Sequence, residues 1–88
     1  MTNDEAFARL RGRGVSSEGA LRVLNYAYQA QYVGGWDKLM VTDQTYPMNG
    51  GSEGAKGHAM DIFRDAGIDP MTISFPEKIS GKAPFGVN

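Results

Sequence analysis

The segment that most constrains this chain is Ser16 to Gly35, SSEGALRVLNYAYQAQYVGG, because it holds a whole helix together with its start and stop signals. Ala20, Val23, Leu24, Ala27 and Tyr28 recur at the spacing of one helical face. Ser16 or Ser17 can accept a hydrogen bond from the free N–H groups of the first turn, and Glu18 sets negative charge at the positive end of the helix dipole. Gly34-Gly35 supplies the left-handed conformation on which helices end. A second amphipathic helix is expected over Thr2–Leu10, where Thr2 and Glu5 have capping-box spacing and Ala6, Phe7 and Leu10 share a face. Gly12 and Gly14 in RGRG are expected to break it. A third is expected from Ser52 or Ala55 to Ala66, its apolar face made by Ala55, Ala59, Ile62, Phe63 and Ala66. Gly67 follows where a Schellman cap needs it, which would fold Ile68 back on Ile62 or Phe63.

Two stretches read as strands. Leu39–Thr42, in the mixed run from Trp36, reads as a short buried strand in preference to an extension of helix after a bend, and Met71-Thr-Ile-Ser-Phe75 alternates apolar and polar residues until Pro76. Asp43–Gly51 reads as a loop by its Pro, Asn and Gly content. The expected architecture is therefore α+β in the order α-α-β-α-β, a single small domain over residues 1–88. Three helices would cover a short two-stranded sheet. Two strands make a marginal sheet, so a second copy of the chain would be expected to extend it as a homodimer. Residues 76–88 carry isolated apolar side chains, Ile79 and Phe85, between Gly and Pro, and form either a strap across the domain or a loosely ordered tail.

At 88 residues the chain buries roughly 63% of its extended surface, enough for one core. A hydrophobic content of 41% argues against global disorder. Net charge is −1, without the basic excess that nucleic-acid binders use to displace counterions. The absence of cysteine excludes disulfides, cysteine-ligated zinc, thiolate nucleophiles and iron–sulfur clusters, and it suits a reducing cytoplasm, the expected location. The opening MTNDEAFARLRGRG lacks the apolar run of a secretory signal, and no stretch has the ~18 apolar residues of a membrane span. No cofactor is implied.

Four groups of residues could carry function. His58, with Asp61 and Asp65 three and seven positions on, could be a general base oriented by a carboxylate, with Lys56 or Arg64 stabilising phosphate charge. The same three could hold a divalent metal. The bland alternative is a boundary histidine bonded to its neighbour, with both aspartates on a solvated face. Asn49–Gly57, NGGSEGAKG, could cradle an anion at a helix start, but it matches neither the Walker loop nor the dinucleotide fingerprint and reads better as a connector. Arg9, Arg11 and Arg13 could grip phosphates or an acidic protein surface, or be a solvated face. Tyr26, Tyr28, Tyr32 and Trp36 lie on or just after the long helix, and Tyr26 and Tyr28 must point apart. At least one ring is thus left for a partner, or for the rim of the core. Tyr, Trp and Arg dominate binding hot spots. The expectation is a protein-interaction module (an inhibitor, adaptor or accessory subunit) binding another protein through Arg9, Arg11, Arg13, Tyr28, Tyr32 and Trp36. A phosphodiester-cleaving, toxin-like nuclease using His58 and a helix-turn-helix nucleic-acid module are the alternatives.

Overall fold

The computed structural model of the chain describes residues 1–40 and 51–75. It contains three helices, α1 (Asn3–Gly12), α2 (Ser17–Val33) and α3 (Gly51–Asp65), with short 3-10 turns at Trp36–Lys38 and Pro70–Thr72. α2 is the hub and packs against α1, α3 and both turns. Four of the five expected face residues, Ala20, Val23, Leu24 and Ala27, are fully buried, but Tyr26 enters the core while the fifth, Tyr28, is left half-exposed. Ser16 is the cap, accepting from the Gly19 N–H at 3.0 Å. α1 carries the complete capping box: the Thr2 N–H donates to Glu5 Oε1 at 2.8 Å, and the Glu5 N–H to Thr2 Oγ1 at 3.1 Å. That backbone bond to Thr2 is the main reason the Glu5 carboxyl titrates below the usual glutamate range. Its share of the cap is therefore complete above the ordinary glutamate pKa and is lost as pH falls through the lowered one.

All three helices end the same way. Val15, Gly35 and Ile68 donate their N–H groups back to the carbonyls of Leu10, Ala30 and Phe63, at 3.1, 2.8 and 2.8 Å. These are the six-to-one bonds of the Schellman motif, and each needs a left-handed residue just before the donor. Gly34 (φ +101°) and Gly67 (φ +71°) supply it where expected. In RGRG the breaker is Gly14 alone; Gly12 is the last residue of α1.

The core cluster is rich in small residues. Six of its fourteen members among the described residues are alanines (Ala6, Ala20, Ala27, Ala30, Ala59 and Ala66), which lets the helices approach closely. The bulk is supplied by few side chains, with Phe63, Leu10, Leu24 and Val23 the largest that are fully buried.

The α+β expectation is overturned. Among the described residues there is no strand and no sheet, only one isolated parallel bridge between Thr2 and Ser74. In the 71–75 stretch, local turn chemistry overrides the alternating pattern. The Asp69 side chain accepts from the Met71 N–H at 3.0 Å, Pro70 sits at the first turn position with its φ already set, and Thr72 Oγ1 donates to the Asp69 carbonyl at 2.9 Å. That leaves three extended residues, and Ser74 pairs with the N-terminal segment instead of with Leu39–Thr42: the Asn3 N–H donates to the Ser74 carbonyl at 3.0 Å and the Ser74 N–H to the Met1 carbonyl at 2.8 Å. Leu39 and Met40 are irregular, with Leu39 buried; residues 41 and 42 lie outside the described residues, as do the expected loop 43–50 and the tail 76–88 with Ile79 and Phe85. With no sheet to extend, that argument for a homodimer lapses.

The glycine-rich stretch is also not the connector it resembles, because α3 runs through it from Gly51. Gly57 lies within the helix, exposed, and a methyl group there would meet nothing within 4 Å. Gly57→Ala should therefore stabilise the domain by about 1 kcal/mol through helix propensity alone. In a thermal melt this reads as a rise of about 4–8 °C.

Candidate protein-binding groove

The C-terminal half of α2 presents Tyr28, Gln31 and Tyr32, spaced i, i+3 and i+4 and so on one face. The 70–75 segment is laid beside that face by one side chain. Gln31 Nε2 donates to the carbonyls of both Pro70 (2.9 Å) and Ile73 (2.8 Å), using both of its amide hydrogens. Ile73 then drops into the core, Ser74 makes the bridge to the N-terminal segment, and the Phe75 ring meets Tyr28 edge-to-face at 5.3 Å and 82°. Between helix and segment lies an open groove of about 320 Å³, lined by Tyr28, Gln31, Tyr32, Ile73, Ser74 and Phe75. No lining side chain is charged, so the groove can offer ring faces, the hydroxyls of Tyr28, Tyr32 and Ser74, and apolar surface, but no ion pair. Tyr32 stands at its rim, 79% exposed.

The other expected contact residues fall elsewhere. Trp36, in the first 3-10 turn, is half-buried and packs edge-to-face on Phe63 at 6.2 Å and 87°. Its register relative to Tyr32 is lost because Gly34-Gly35 ends the helix between them. Arg9 and Arg13 lie near the end of α3, while Arg11 turns back to the connection between α1 and α2. Arg13 pairs with Asp65 at 3.1 Å, Arg11 Nη1 donates to the Val15 carbonyl at 2.8 Å, and the Arg9 guanidinium lies beside Gly67. Cations there complement the negative end of the α3 dipole. The Arg13–Asp65 pair is half-exposed or more on both sides, which makes it worth little.

The His58 group lies along α3. His58 and Asp61 are exposed on α3, where Asp61 pairs with Arg64 at 3.5 Å. Lys56 Nζ donates to the Leu39 carbonyl at 3.1 Å and so helps hold the segment after α2 against α3. Arg64, the other candidate for stabilising phosphate charge, lies eight positions further on, about 12 Å along the helix from Lys56. Asp65 is committed to Arg13, and no group of three metal-ligating side chains occurs among the described residues. Of the glycine-rich stretch 49–57, residues 51–57 form the first turns of α3, and Asn49 and Gly50 lie outside the described residues. α2, the recognition helix of a helix-turn-helix reading, carries a single cation, Arg22, which is paired with Glu18 at 3.6 Å. No helix of the described residues is long and apolar enough to cross a membrane.

The groove residues that inspection of the sequence missed are Gln31, Ile73, Ser74 and Phe75. A signal for the first existed: Gln31 lies three positions after Tyr28 and one before Tyr32, on the face already singled out. No family model, curated protein or solved structure matches the chain.

Proposed function

We propose that this chain is a small protein-interaction module that engages its partner through the groove between α2 and the 73–75 segment, with Tyr32 as the anchor. The observation that carries the reading is the exposure of Tyr32 next to a preformed, uncharged, aromatic-walled groove. A tyrosine ring held on a helix offers large contact area at little entropic cost, which is why this residue type recurs at hot spots. The groove walls are braced by the double hydrogen bond of Gln31 and the Tyr28–Phe75 ring pair, so little ordering is left for binding to accomplish. Arg9, Arg11 and Arg13 have a smaller part in this reading than the sequence suggested, since none of them lines the groove.

The test is capture of partners from host lysate by tagged protein, identified by mass spectrometry, with two variants beside the native chain. Tyr32→Ala should lose a stoichiometric partner, at a cost of about 2 kcal/mol or roughly 30-fold in affinity. Its stability should stay within about 0.5 kcal/mol of the native value, as expected for an exposed site. Trp36→Ala should behave in the opposite sense, losing about 1–2 kcal/mol of stability through its packing on Phe63 while retaining the partner. An identical set of partners on native and Tyr32→Ala protein would overturn the proposal. Recovery of RNA or DNA in place of a protein would do the same.

A further inference from the structure

We draw no further inference here: the strongest candidate, the apolar rim of the groove between α2 and the 73–75 segment around Tyr32, belongs to the site already described, and nothing in the structure shows what covers it.

Discussion

Phe63→Ala should lower the unfolding free energy by about 3–5 kcal/mol, the largest effect expected of any single substitution in this chain. Phe63 heads the largest fully buried side chains, and its surroundings cannot close over a void. Trp36 stands edge-on against it, and the six-to-one bond from Ile68 to the Phe63 carbonyl holds the end of α3 in place whatever side chain is present. Alanines make up much of the remaining core, and an alanine has no rotamer with which to fill a hole. Domains of this size have little to spare out of a typical total of about 5–15 kcal/mol. The variant should show a much lower urea midpoint with the slope unchanged. A loss below about 1 kcal/mol would mean that Phe63 is not packed in the core as described.

Gln31→Glu should cost about 2–3 kcal/mol at neutral pH, even though the shape of the side chain hardly changes. The native amide donates to two carbonyls, and a carboxylate in its place would turn an acceptor toward both. The site is half-buried, so water relieves only part of the conflict. Both the carbonyl dipoles and the burial disfavour the charged form, which raises the folded-state pKa of the new carboxyl above its unfolded value. Stability relative to the native chain should accordingly be worst above the raised pKa, and it should partly recover as pH falls below it and the acid can donate one of the two bonds. Gln31→Ala would lack that recovery. Chemical denaturation of both variants across pH 4–7 separates the cases, and a flat profile for Gln31→Glu would show that the amide does not brace the 70–75 segment.

What could be read from the sequence was decided within a few residues. The caps at Thr2 and Ser16, the apolar faces of α1 and α2, and the Gly67–Ile68 fold-back depend on steps of no more than five positions from one group to the next, and all but the burial of Tyr28 are found in the structure. The 71–75 strand was misread because alternation records only which side chains can face inward. It does not supply a hydrogen-bonding partner, which is non-local, and the cap that Asp69 and Pro70 build at the start of the stretch competes directly with extension. The glycine stretch misled for a related reason. Propensity is a weak prior, and the packing of Ala59 and Phe63 together with the Lys56–Leu39 bond favours helix over residues that would otherwise form a loop.

The site was legible in part. Tyr28 and Tyr32 fall on one face because they are four apart in an unbroken helix. The opposite wall of the groove comes from residues more than 40 positions later in the chain, beyond any periodicity. Ile73 and Phe75 did share a face in the alternating pattern, but nothing local tied that face to α2; the tie is Gln31.

The most direct test of the groove is a two-dimensional amide NMR titration of the intact protein with the captured partner. Chemical-shift changes should concentrate on Tyr28, Gln31, Tyr32, Ile73, Ser74 and Phe75, and they should vanish in Tyr32→Ala at the same concentrations. Changes confined to His58, Asp61 and Arg64 on the outer side of α3, or to Arg9, Arg11 and Arg13, with the groove amides unmoved, would contradict the account.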